Sequence, residues 1–241
     1  GFLAIGTASH SAESRHVRTV RALLGVLEVS ESALRCGSHA PLEPITHRLM
    51  MRSGQEPCPI HNNCSGKHAF MAGALRAKGY SGQDYRELAH PFQQHVRETV
   101  ERYTGALSVS PGTDGCGVPC WILPLTAMAH AWAQFAEATE RSEGQLGAIG
   151  NAMRSCPELV SGTGRLDLAV SQASRRQIIS KVGAAGLLCA AIPDLGFGVA
   201  LKVHSGHGQA RAVAAANIMS QLLPERFDLS HPWFIEQTKV R

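Results

Sequence analysis

The sequence predicts an α+β fold in which helices pack on a short antiparallel sheet. Helix-period apolar patterns fill most of the chain up to residue 154, and two apolar runs, 186–192 and 197–203, follow late. Between those runs lies Pro193-Asp194-Leu195-Gly196, a hairpin signal. Helices ahead of a hairpin, rather than strands alternating with helices, argue against a parallel doubly wound sheet.

Residues 1–8 are small and apolar and suit the end of a strand or a buried helix. From Glu13, Val17, Val20, Leu23, Leu24 and Leu27 recur at helical spacing, with Ser11 or Ser14 as the expected cap. A short helix is expected over 30–34, a Gly and Pro break over 36–41, and another helical turn from Pro44 through Ile45, Leu49 and Met50. His39 in the break is read either as a site residue or as a solvated loop histidine. Residues 69–78 are alanine-rich and free of proline, and Gly79 is placed to end a helix capped by Ser65 or Asn63. Pro91 opens a helix to Gly105 with Phe92, Val96, Val100 and Tyr103 on one face.

Three glycines and two prolines make 110–120 a loop, the kind of segment that carries site residues. Helices are expected over 124–140, with Leu125, Met128, Trp132 and Phe135 inward, and over 143–154. The glycines of 162–165 fit neither phosphate-loop nor dinucleotide spacing. Residues 208–223 read as an alanine-rich helix with Val213, Ile218 and Leu222 inward, and 233–240 as a final strand.

With 44% hydrophobic and 17% charged residues over 241 positions, the chain has the balance of a soluble globular protein. Its net charge is only +4 and its arginines are scattered, so no nucleic-acid stripe forms. No apolar run suits a membrane span. The seven cysteines are odd in number and spread along the chain, which points to a reducing cytoplasm rather than a disulfide framework.

The densest chemistry is His61-Asn62-Asn63-Cys64-Ser65-Gly66-Lys67-His68. A helix starting there puts Cys64 at its positive end, with Lys67 on the same face. Cys64, Lys67 and Cys116 could hold zinc if the glycine loop folds back, the lysine ligating as the neutral amine. Cys120 offers a competing Cys-x-x-x-Cys pair, and Asp114 reads as an orienting carboxylate or as a plain turn residue. Ser9 is a candidate nucleophile with Lys181 as a distant base. None of the five lysines follows a serine by three positions. Cys64 alone stands so to a lysine, which also opens a cysteine-nucleophile reading.

Six segments together, Ala8 to Ser11, Cys36 to Pro41, His61 to His68, Asp114 to Pro119, Gly162 to Arg165 and Lys181 to Gly183, resemble the L-asparaginase II family, the inducible thermolabile rhizobial type. The resemblance spans nearly the whole chain, and the block from Asn62 to His68 is its most specific part. It implies hydrolysis of L-asparagine to L-aspartate and ammonia, on a fold similar to serine β-lactamases and glutaminases, by a homodimer. It further implies zinc on Cys64, Lys67 and Cys116, with Asp114 beside them in the active site, and a catalytic serine–lysine pair at Ser9 and Lys181.

The family also has an upstream Ser-x-x-Lys pair, thought to carry the nucleophile. The chain is therefore expected to be a single domain over 1–241 without the family's N-terminal segment. Ala12 stands where the family usually has glycine, as does Phe70, and Ala185 where it usually has glutamate. Two other readings are an inactive zinc-binding or dimerisation remnant and a cysteine amidase using Cys64.

Overall fold

The computed structural model describes residues 1–80, 84–106 and 111–239. Ser110 of the glycine loop and Val240 of the expected last strand lie outside them. The chain falls into two compact units, Gly1–Leu123 and Pro124–Arg241, and its elements are mixed helix and antiparallel strand.

Unit 1 holds helices α1 (Phe2–Gly6), α2 (Ser14–Val26), α3 (Pro44–Arg52), α4 (Ser65–Lys78) and α5 (Pro91–Thr104), then the short strands β1 (Pro111–Thr113) and β2 (Pro119–Trp121). Single 3-10 turns lie at Glu31–Ala33 and Pro59–His61. The helix stops expected at Gly79 and Gly105 are present, both glycines taking the left-handed conformation.

The caps differ from expectation. Glu13, not Ser11 or Ser14, caps α2 through a reciprocal pair with His16, because Ala12 turns through φ 59° and brings Glu13 to the helix end. Glycine takes such a turn without strain, and the alanine here takes it despite its Cβ. In α3 only Met50 is buried, and Ile45 and Leu49 face solvent. The glycine loop folds back as an antiparallel pair, with Gly112 opposite Cys120.

Helix α1 packs directly on α4 because Gly66 has no side chain: a Cβ there would stand 2.2 Å from the Ile5 carbonyl oxygen. This contact sets the chain just after α1 beside the start of α4. Gly66→Ala is expected to cost about 1–3 kcal/mol by overpacking, measured by urea unfolding. Unchanged stability would mean that α1 is not seated on α4.

Unit 2 holds α6 (Leu125–Glu140), α7 (Gly144–Ser155), α8 (Pro157–Val160) and α9 (Leu166–Ala173), then β3 (Ile179–Val182), β4 (Leu187–Ile192) and β5 (Phe197–Lys202), and finally α10 (Gly208–Leu222) and α11 (Pro232–Thr238). The sheet is antiparallel in the order β3-β4-β5, and the expected hairpin joins its last two strands. Helix α6 lies against β5 so closely that a Cβ on Gly198 would meet the Ala129 carbonyl oxygen at 2.0 Å. The core gathers Leu188, Ala190 and Ile192 of β4, Val170 of α9 and Met219 of α10.

Three details of unit 2 are corrected. The expected last strand is helical, because Pro232 suits a first helical turn and the His231 ring accepts the Trp233 N–H. Helix α10 turns its small residues Ala212, Ala215 and Ala216 inward with Met219, which lets it approach the sheet and leaves Val213 exposed. Leu125, at the start of α6, is likewise exposed. No described helix is long and apolar enough to cross a membrane.

Candidate functional site

Ser9 and the start of α4 are tied together through Asn63. The Asn63 side-chain amide donates to Ser9 Oγ at 2.7 Å, its carbonyl accepts the His10 N–H at 3.0 Å, and its own N–H donates to His39 Nε2 at 3.0 Å. His39 is held on its other side by the Ala40 carbonyl at 2.7 Å, so it is an anchored loop residue rather than a solvated one. His10 is fully buried: its Nδ1 accepts the Ala12 N–H, which leaves Nε2 to donate to Ser65 Oγ at 2.9 Å. Ser9 itself is half-buried.

The cap of α4 is Cys64, not Ser65 or Asn63. Asn62 explains the shift, since its Oδ1 accepts the Cys64 N–H at 2.8 Å while its amide donates to the Cys36 carbonyl at 2.8 Å. The cysteine is thus fixed at the end of the helix where free N–H groups converge. From the turn between β1 and β2, Asp114 and Cys116 reach the same place. One ligand atom from each of Cys64, Asp114 and Cys116 lies within 4.8 Å of the other two. Cys116 donates to Asp114 Oδ2 at 3.3 Å, and Lys67 Nζ stands 3.7 Å from that same oxygen. Cys120 is exposed on β2 and does not belong to this group.

The electrostatics follow from the crowding. Burial works against the Lys67 ammonium, but the charges of Cys64, Cys116 and Asp114 outweigh it and its pKa is raised. Burial likewise opposes the Asp114 carboxylate, and Lys67 together with hydrogen bonds from Cys116 and Gly115 brings its pKa below the usual value. The Cys116 thiol is pushed far up, first by sharing a hydrogen bond with Cys64 and then by burial, while His68 pulls it down. Burial also pushes the nearby Cys36 thiol up to about 11.

His68, on the next position of α4, is fully buried. Its Nδ1 faces the Tyr85 hydroxyl at 2.7 Å, and that hydroxyl accepts the Arg35 N–H at 3.0 Å. Its Nε2 has no hydrogen bond of ordinary geometry among the described residues. The Tyr85 hydroxyl also lies 3.3 Å from the Ala33 carbonyl, so it ties the His68 ring to the 33–35 segment, while the ring also acts on Cys116. Tyr85→Phe is expected to cost about 1–3 kcal/mol, because it leaves His68 Nδ1 and the Arg35 N–H without this partner, as read by denaturant unfolding. No loss would show that the phenol does not hold the ring.

Unit 1 therefore gathers Ser9, Cys64, Lys67, Asp114 and Cys116. Lys181 lies in unit 2, ahead of the apolar strand β4 and itself within β3, paired in register with Cys189 of β4. Its ammonium donates to the Val182 carbonyl at 2.7 Å. The burial of Cys189 raises its thiol to about 11, and Lys181 opposes that rise. Asn63 as the hub of the serine turn was legible only as one amide among several in the motif, and Tyr85 carried no signal at all. The L-asparaginase II family model matches residues 2–231 of the 241-residue chain. No curated protein matches it.

Proposed function

The chain belongs to the L-asparaginase II family, and from that premise we propose that it hydrolyses L-asparagine to L-aspartate and ammonia at a serine–lysine site beside a zinc centre. The observation that carries the reading is the convergence of two thiols, a carboxylate and an amine at the start of α4, one hydrogen-bonded side chain away from Ser9. The three-stranded antiparallel sheet and its helices agree with a β-lactamase- or glutaminase-like fold. A cytoplasmic homodimer completes the reading.

The donor set suits zinc. Thiolate sulfur and a nitrogen are its preferred ligands, and the buried His68 ring beside Cys116 lowers that thiol's pKa, the kind of support that metal-bound groups commonly receive from their neighbours. Cys64, Lys67 and Cys116 would hold the ion, with Asp114 pairing Lys67. When bound there, zinc supplies Lewis acidity that polarises a carbonyl.

The chain's own groups supply the acyl transfer. In this reading the Lys181 ammonium first gives up a proton to solvent. The Ser9 hydroxyl then attacks the side-chain amide carbon of asparagine while the lysine amine takes the hydroxyl's proton. The C–N bond then breaks and the lysine returns the proton to the departing ammonia. Water hydrolyses the ester in the second half and regenerates the hydroxyl. Asn63, which donates to Ser9 Oγ, fixes the hydroxyl's position. A nucleophilic role for Cys64 is disfavoured because its sulfur is engaged with Cys116 and Lys67.

Ammonia release and zinc content measured on one sample test the proposal: an active, zinc-loaded protein is expected, and a zinc-loaded protein without turnover is the inert scaffold instead. A pH series assigns the third ligand. Lys67 and Cys116 both have raised pKa values, so both are protonated at neutral pH and must lose a proton to bind metal. Zinc affinity is therefore expected to rise with pH, by about tenfold per pH unit for each proton released. In Lys67→Ala this dependence is expected to weaken by one proton. An unchanged slope would leave Lys67 an ammonium beside a Cys64–Asp114–Cys116 site.

A further inference from the structure

Unit 2 contains a pocket of about 430 Å³ whose residues include none of those assigned above. Arg154, Arg175 and Arg176 line it, together with Gln177, Glu140 and Asp194. Asp194 is already engaged by Arg226, so three guanidinium groups face a single uncommitted carboxylate, that of Glu140. Two of the guanidiniums are fixed by hydrogen bonds that leave most of their N–H groups unused. Arg154 donates to Asn151 Oδ1 at 2.8 Å, and Arg176 to the Ser155 carbonyl at 3.1 Å.

One further observation points to a ligand. Arg175 and Arg176 are consecutive residues with φ of 51° and 64°, where the chain turns at the end of α9 through the bonds Arg175 N–H to Gln172 and Arg176 N–H to Ser171. That region is one glycine enters freely and side chains with a Cβ avoid. Two arginines held there keep their charge at the pocket in spite of the backbone, as strained residues at binding sites do.

We propose that this pocket binds a small oxyanion with two negatively charged groups or two negative charges. The guanidinium forks match phosphate or carboxylate oxygens. Hydrogenphosphate and an acidic amino acid both have this chemistry. The inference stands whether or not the amidohydrolase reading does.

Calorimetric titration of the full chain with inorganic phosphate, and separately with L-aspartate, tests it. At least one is expected to bind saturably with a Kd of about 1 mM or tighter, and the arm that succeeds identifies the ligand as phosphate or dicarboxylate. The Arg175→Gly/Arg176→Gly double variant is expected to lose at least about tenfold in affinity while its thermal midpoint holds or rises, since glycine relieves both turns. Arg154→Gln, in ordinary helical backbone, is expected to lose affinity without a change in midpoint. No saturable heat from either probe, or wild-type affinity in the glycine double variant or in Arg154→Gln, overturns the proposal.

Discussion

Replacing Cys64 with serine is expected to lower zinc affinity by at least about 100-fold, beyond the range usual for groups that only support a ligand. The reason is positional. Cys64 is the cap residue of α4, and its sulfur stands within 4.8 Å of Asp114 and Cys116 ligand atoms. A hydroxyl keeps the volume but gives zinc a poor ligand in place of a thiolate. Competition against a chromophoric chelator reads the effect, and unchanged affinity would remove Cys64 from the metal site. Cys120→Ser, on the exposed face of β2, serves as the control and is expected to change nothing.

Ser9→Ala is expected to cut turnover of L-asparagine by about 10²–10⁴-fold, the range set by loss of a group that takes part in proton and acyl transfer. Little loss of folding stability should accompany it. Ser9 Oγ accepts one hydrogen bond, from Asn63, and the Asn63 amide sits at a half-buried position where water can replace that partner. Steady-state ammonia release gives the number, and turnover equal to wild type would end the assignment of Ser9.

The site was legible where one short segment supplied both structure and chemistry. The alanine-rich stretch after Lys67 and the glycine at 79 fix α4, and α4 fixes the direction of Cys64. The return of Asp114 and Cys116 to that helix has no signal in the sequence, since the fold-back of the loop depends on a strand pair of three residues each, too short to show a period. Strand β3, with four residues, escaped for the same reason, although it carries Lys181.

Other differences came from side-chain partners that no period announces. Glu13 caps α2 because His16, three residues on, answers it, and Tyr85 reaches His68 from 17 residues away. Leu222 packs on the core as its spacing predicts, but Val213 faces outward because alanines that fit closely, Ala212, Ala215 and Ala216, take the inner face of α10. Trp233 to Thr238 alternates little and begins after a proline, and the proline's fixed φ decided for helix. Ala185, at φ 49°, and Ala12, at φ 59°, occupy turns that no propensity scale assigns to alanine.

Product analysis tests the central claim most directly. With L-asparagine as the only substrate, zinc-loaded protein is expected to release ammonia and L-aspartate in equal amounts and at a rate that saturates with substrate. Stoichiometric zinc on the same protein with neither product formed would contradict it.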